Sequence, residues 1–392
     1  MIFFLFGRVP AQLVARRLLR ESVGMRFLAT KVPTMRRTWR VKTQLVVPIL
    51  LVATSTLFAL GLVEIAFSAF LWYPPAVRAL PSHVRNIVRR YYLGVDRAVV
   101  QGMAACSQYD ARVFYTLKPG GCVQKEREFR VQYNVNSQGM RDSELALEAP
   151  RMIVIGDSFA MGWGVAQEST FPKRVEAAWG QRVLDAGISS YGTARETSLL
   201  AMQDLSALEY VVVQYESNDV AENRSFLENN YRLPIGSREK YQAMVDGTTK
   251  RRPYVPGDRV RWLIALLFGR LAPQPLTAQT QGPELSEDSA SFAEQAHMFL
   301  EVLCHNFAAS HPRVKIMAFR LDSYAKNDSR FASELQLQKV SAQFPPNIQE
   351  LDVEDFSNRL DESYSFDLDD HLRPEGHQVI ADVILSRLKS GW

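Results

Sequence analysis

Two features of this sequence are suited to covalent chemistry: a serine that closes an apolar strand, and a histidine preceded by two acids. The run Met152-Ile153-Val154-Ile155-Gly156-Asp157-Ser158-Phe159 passes from continuous apolar residues to a serine, and in open parallel sheets ligands gather beyond the carboxyl ends of the strands. More than two hundred residues later comes Asp369-Asp370-His371. A serine hydroxyl is a poor nucleophile at neutral pH and needs a neighbouring base to take its proton. A histidine held in one tautomer by a carboxylate is such a base. Taken alone, Ser158 also reads as a turn serine capping the next helix. Ala160 stands where the Gly-x-Ser-x-Gly elbow would have its last glycine, so that motif is absent. His297, His305 and Cys304 fall on one predicted helix and read as packing or surface groups, and His377 reads as a helix-start residue. No His-Glu-x-x-His, P-loop or Gly-x-Gly-x-x-Gly occurs, so neither a metal nor a cofactor is expected.

A fold must bring these distant groups together. Short apolar runs at 152–155, 183–184, 210–213, 314–319 and 348–353 alternate with helical stretches. This is the pattern of a parallel sheet covered on both faces. One helix is expected from near Ser169, and a last one over 379–388. Residues 220–287 interrupt the rhythm as an insertion carrying Tyr231, Tyr241, Tyr254, the basic cluster Lys250-Arg251-Arg252 and the apolar run 262–268 between arginines. That run reads as a buried helix in preference to one lying in a membrane interface, and 272–288 as a surface loop. Before the α/β region, 76–104 reads as an arginine-bearing helical stalk with Val84, Ile87, Val88 and Tyr91 at helical spacing. Strands at 112–117 and 128–135 are expected to be joined by the Pro119-Gly120-Gly121 turn.

Of the 392 residues, 47% are hydrophobic and 22% charged, which is ordinary for folded protein. The net charge of +4 is unevenly spread, because residues 1–42 hold ten Lys/Arg against the single acid Glu21 and the remainder carries 36 basic and 41 acidic side chains. The positive surplus thus belongs to a short leader and not to a folded face, which excludes a globally basic nucleic-acid binder. No charge interrupts 43–63, and the apolar character continues through Ile65, Phe67, Phe70, Leu71 and Trp72. A spanning helix needs about 20 such residues. The stretch exceeds the ~7 to 15 residues of a signal-peptide core, so an uncleaved anchor is preferred over cleavage near Ala66-Phe67-Ser68-Ala69. The positive-inside rule then keeps the leader in the cytoplasm and puts everything beyond about Tyr73 on the far side. Trp72 and Tyr73 read as an interface anchor, and Pro74-Pro75 as the helix stop. An arginine-rich leader poor in acids also fits a mitochondrial transit sequence, and Met25 and Met35 offer later starts. The expected organisation is therefore a leader (1–42), an anchor (43–73), a stalk with a small β-rich segment (74–150) and the α/β domain (151–392). Three cysteines are too few for a disulfide scaffold, though Cys106 and Cys122 can pair if their segment lies outside the cytoplasm.

The Gly-Asp-Ser strand end resembles that of the GDSL-like, or SGNH, hydrolases, and three further blocks follow in that family's order. Val183-Leu184-Asp185-Ala186-Gly187-Ile188-Ser189-Ser190-Tyr191-Gly192-Thr193 is similar to the second block, with Ser190 at the family's oxyanion glycine and Gly192 as the alternative donor. Glu216-Ser217-Asn218-Asp219 resembles the Gly-x-Asn-Asp block, keeping Asn218 and replacing the glycine by Glu216. Asp369-Asp370-His371-Leu372-Arg373-Pro374 resembles the Asp/His segment, with Leu368 three residues before the histidine, so the acid is Asp369 or Asp370, with Asp369 preferred. Together the blocks cover about 235 residues.

The resemblance implies a three-layer α/β/α domain on a five-stranded parallel sheet of flavodoxin-like order. It implies Ser158 as nucleophile, His371 as base and Asp369 as its orienting acid, with an oxyanion hole from the Ser158 and Ser190 N–H groups and the Asn218 amide. The expected function is a membrane-anchored esterase removing an acyl group, acetyl first among them, from an exported carbohydrate or lipid. The alternatives are an acyltransferase that delivers the acyl group to a glycan, and an inactive tethered binding module.

Overall fold

The structure, a computed structural model, describes residues 36–249, 253–269 and 290–391. The expectations for the leader before Arg36, for Lys250-Arg251-Arg252 and for the loop at 272–288 lie outside the described residues. The chain divides into two units, 1–58 and 59–392. In the first, helix α1 (Arg36–Trp72) begins, with Val46, Leu50, Leu51 and Phe58 all exposed. Val46–Trp72, 27 residues, is long and apolar enough to cross a membrane. At 1.5 Å per residue it measures about 40 Å against a hydrocarbon core of about 30 Å. The helix stops at Trp72 because Pro74 forces the residue before it out of helical conformation, and Tyr73 sits at φ −126°, ψ 76°.

The second unit starts with the last turns of α1 and continues through α2 (Ser82–Tyr91). Two antiparallel hairpins come next: β1 (Ser107–Asp110) with β2 (Phe114–Leu117), and β3 (Cys122–Lys125) with β4 (Arg130–Tyr133). The strands expected at 112–117 and 128–135 therefore do not pair with each other. Each finds a nearer partner, because a short turn pairs strands more cheaply than a longer closure. A disulfide joins Cys106 to Cys122, with Cα atoms 5.2 Å apart. The segment read as a stalk is folded onto the domain: α2 buries Val88, Arg89 and Tyr91, and Arg89 Nε donates to the Asp367 carbonyl at 2.8 Å.

The α/β core follows as β5 (Met152–Ile155), α3 (Ser158–Met161), α4 (Phe171–Trp179), β6 (Val183–Asp185), α5 (Thr193–Leu200), β7 (Tyr210–Tyr215), α6 (Asp219–Glu228), α7 (Arg238–Thr249), α8 (Asp258–Leu267), α9 (Phe292–Asn306), β8 (Lys315–Arg320), α10 (Ser329–Gln338), α11 (Pro346–Gln349), β9 (Asp352–Glu354) and α12 (Pro374–Ser390). All five strands β5 to β9 are parallel, in the order β6-β5-β7-β8-β9. Alternation along the strands sorts the core into two layers. Ile153, Ile155, Val211, Val213 and Ile316 face α5, α9 and α10 through Leu199, Phe299 and Phe331, whereas Met152, Val154, Val212 and Met317 face α4 and α12 through Phe171, Val175, Ile380 and Ile384. This is the expected three-layer α/β/α arrangement.

Several boundaries differ from expectation, the last helix starting at Pro374 and not near 379, and at two of them prolines give the reason. The run at 348–353 supplies a strand only from Asp352, because Pro345 and Pro346 start the short helix α11 across Ile348. The helix expected near Ser169 starts at Phe171, with Pro172 at a position where a missing N–H costs nothing. The 220–287 insertion is partly core: Phe226 of α6 packs with Ala194 and Val302. The apolar run at 262–268 is buried on one face only, with Trp262 8% exposed but Leu267 80%.

Candidate active site

Ser158 is placed by the turn that leaves β5. Gly156 adopts φ 154°, and a Cβ there would come within 2.6 Å of Gln214 Oε1, so the position requires glycine. Gln214 Oε1 accepts from the Asp157 and Ala160 N–H groups at 3.1 and 3.2 Å, and Asp157 Oδ1 caps α3 through the Phe159 N–H at 2.9 Å. The turn thus puts Ser158 at the first position of α3. Past α3 the chain is gripped by Arg141, a fully buried guanidinium that donates to the carbonyls of Met161, Gly162 and Val165 and lies 4.2 Å from the Tyr133 ring. The grip leaves Trp163 stacked on His371 at 4.9 Å.

His371 arrives from the loop before α12. Its Nε2 lies 2.7 Å from Ser158 Oγ and its Nδ1 2.6 Å from Asp369 Oδ1. Asp370 Oδ1 is also near Nδ1, at 3.1 Å. The structure therefore brings Ser158, His371 and Asp369 into one hydrogen-bonded line, with Asp370 beside it. Asp369 is fully buried, and its other oxygen accepts from Trp163 Nε1 at 3.2 Å and the Tyr92 hydroxyl at 3.3 Å. Asp370 faces Arg97 at 2.5 Å and the Ser323 hydroxyl at 2.9 Å. Glu128, in the turn between β3 and β4, accepts from the N–H groups of Asp367, Leu368 and Asp369 at 2.6, 2.8 and 2.8 Å and so pins the loop that carries the acids. Glu128, Arg97, Arg141 and Gln214 stand in no motif. Only their positions in the folded chain mark them.

Charge around His371 follows from these neighbours. Burial disfavours the imidazolium, but Asp370 and Asp369 outweigh it, and the histidine is pushed up to about 9. Burial also opposes ionisation of Asp370, yet Arg97 and the imidazole hold its carboxyl far below the usual range. His377 differs: burial, reinforced by Arg141 and Arg174, pushes it down to about 3, and Nδ1 of its neutral ring accepts from the Phe171 N–H at 3.3 Å. Asp369, Asp370 and His371 could converge on a cation. The Arg97 guanidinium already lies 2.5 Å from one of these carboxylates and 3.7 Å from the other, so a second cation there would meet a positive charge in a buried space. His297 is exposed beside Glu301, His305 stacks on Tyr231, and Cys304 is a free, half-buried thiol.

The expected oxyanion donors differ from one another. Ser190 holds a left-handed backbone, φ 61°, with its hydroxyl accepting from Gln101 Nε2 at 2.8 Å. The cost of that conformation for a serine is offset by Gln101 and by Tyr115, whose hydroxyl donates to the Ser189 carbonyl at 2.7 Å. Asn218 is engaged elsewhere: its Nδ2 donates to Asp157 Oδ2 at 3.1 Å and to Glu216, and its buried Oδ1 has no hydrogen-bond partner among the described residues. The reason is the carboxylate at Glu216 in place of a glycine. Burial, to which Asp157 adds, pushes that carboxyl well above the ordinary range. Gly192 is not a spare donor either, because its N–H meets Glu222 Oε1 at 3.2 Å.

No protein-family model matches the chain, and no curated protein matches it. A crystal structure of a protein from Lactobacillus plantarum is similar over 62% of this chain and 98% of its own, at 16% identity and a TM-score of 0.32. A likeness of that size carries no functional reading.

Proposed function

We propose that this chain is a membrane-anchored serine esterase of the SGNH, or GDSL-like, kind, which removes an acyl group such as acetyl from a carbohydrate or lipid outside the cytoplasm. The observation that carries the proposal is the line Ser158 Oγ, His371 Nε2, His371 Nδ1, Asp369 Oδ1, with contacts of 2.7 and 2.6 Å. In this reading His371 takes the Ser158 proton as the hydroxyl attacks the ester carbonyl, and Asp369 fixes the tautomer and stabilises the imidazolium. The tetrahedral oxyanion is held by the N–H groups of Ser158 and Ser190. The imidazolium returns its proton to the leaving alcohol, and water then releases the acyl group by the same steps in reverse. The Cys106–Cys122 bridge supports a location on the oxidising side of the membrane. The ten Lys/Arg of residues 1–42 support a cytoplasmic N-terminus.

The test is hydrolysis of a small acetyl ester by the full-length chain in detergent, beside Ser158→Ala. Turnover by the natural sequence and none by the variant is expected. Equal turnover in both sinks the proposal. Turnover that appears only with an added sugar acceptor replaces hydrolysis by acyl transfer.

A further inference from the structure

Helix α8 has two unlike faces. On one, Arg259, Val260 and Trp262 are buried against the last turns of α1 and against α2: the Trp262 ring sits edge-on to Tyr91 at 5.2 Å and to Phe67 at 6.5 Å. The Glu64 carboxylate of α1 accepts from the Val260 N–H at 2.9 Å and from the Tyr254 hydroxyl at 2.6 Å, and Arg259 donates to Ser68 Oγ at 2.8 Å. On the other face Ile264, Leu267 and Phe268 are 43%, 80% and 74% exposed. These three recur at helical spacing, and Arg261 lies one turn before Ile264 on the same side.

The place where α8 is fastened decides what its apolar face meets. Glu64 lies eight residues before Trp72, the last residue of the apolar helix, which is about 12 Å along its axis. Trp72, Tyr73 and Ile65 of the same region are exposed, and aromatic residues at the end of a span belong at the headgroup level. An α1 that spans the bilayer therefore carries α8 at the depth of its own last turns. We infer that the Ile264, Leu267 and Phe268 face of α8 lies in the interfacial layer of the bilayer, beside the last turns of α1. Burial of such a face in the headgroup and acyl boundary is how short amphipathic helices bind membranes, and the long Arg261 side chain can keep its charge in the headgroups. The arrangement bears on the site, because Leu368, next to Asp369, is fully buried in the same cluster as Phe67, Tyr91 and Trp262. The loop carrying His371 is thus built on the membrane-side cluster.

The inference rests on α1 being a span, and the experiment separates the two. In a Cys304→Ser background, single cysteines at Leu267, Phe268, Leu57 and Leu145 carry an environment-sensitive fluorophore on the full chain in phosphatidylcholine vesicles, with lipids bearing nitroxides at shallow or deep positions. Leu57 lies within the span and Leu145 is an exposed site on the domain. Expected are deep quenching at Leu57, shallow quenching with blue-shifted emission at Leu267 and Phe268, and neither at Leu145. Quenching at Leu57 without quenching at Leu267 and Phe268 overturns the inference and keeps the anchor. Blue-shifted emission there without lipid quenching overturns it too, and assigns the face to a protein contact. No quenching at Leu57 removes the anchor, and the inference with it.

Discussion

Two neighbouring carboxylates around one imidazole divide two tasks. Asp369 makes the shorter contact with Nδ1 and is itself held by Trp163 and Tyr92, so it is placed to set the tautomer. Asp370 stands further from Nδ1 and is the largest single contribution raising the histidine. A base must be neutral to accept the Ser158 proton, and a histidine at about 9 is mostly protonated at pH 7. On the proposed esterase reading, kcat/KM is therefore expected to rise with pH, with a midpoint at about 9. Asp370→Asn should move that midpoint to lower pH by removing one of the two carboxylate charges that raise the histidine. Asp369→Asn should instead lower kcat by about 10,000-fold through loss of tautomer control. Equal losses in the two variants, or a profile flat from pH 7 to 10, contradict this division. Ser158 and His371 were legible in the sequence because short local patterns carry them, and the acid was narrowed to Asp369 or Asp370, with Asp369 preferred. The Asn218 amide was not, since its direction depends on the through-space contact with Glu216 and Asp157.

Among the elements, the β3–β4 hairpin supports the candidate site without touching Ser158 or His371. Glu128 in its turn accepts three successive N–H groups of the loop that bears Asp369. Burial pushes the Glu128 carboxyl up, while those three donors oppose the rise. Glu128→Ala leaves three buried donors unpaired and should cost at least about 2 kcal/mol of stability. It should also lower kcat more than it raises KM, since the loop holding His371 loosens. Glu128→Gln, which keeps one acceptor oxygen, should recover part of both losses. Thermal unfolding together with steady-state kinetics of the two variants tests this positioning role. A stability loss with kcat unchanged reduces Glu128 to a purely structural part. The hairpins also show why strand pairing was misread from the sequence. Apolar alternation reports which residues face a core, whereas the partner of each strand follows from the turns, and the Gly120-Gly121 turn links two hairpins and does not form one.

For the whole molecule, the last turns of the apolar helix α1, from Ala59 on, belong to the same unit as the α/β core. The last turns of α1 bury Phe67 and Leu71 in the cluster that also holds Leu368, and Arg97 reaches Asp370 from the segment just after α2. The disulfide ties this region to the domain, joining Cys106 to Cys122 at the start of β3 across a separation of 16 residues. Closing a loop of that length stabilises by about 3 kcal/mol in the chain-entropy account. The Cys106→Ser, Cys122→Ser double variant should lose about that much in a denaturant titration of the full chain in detergent. Cys304→Ser, at a thiol outside any bridge, should change little. A double variant as stable as the natural sequence contradicts a stabilising bridge.

Periodicity and local motifs were enough for the sheet, its two covering layers, the apolar helix and the serine, histidine and acid. Each is written within a few consecutive residues, and burial of apolar side chains acts at that range. The order β6-β5-β7-β8-β9 is the flavodoxin-like one that the family resemblance implied, whereas the Arg97, Glu128, Arg141 and Gln214 contacts and the half-exposed face of α8 were not legible, because each depends on residues distant in the chain. A buried guanidinium or carboxylate is tolerable only where partners from other elements converge on it, and that convergence exists only once the chain has folded.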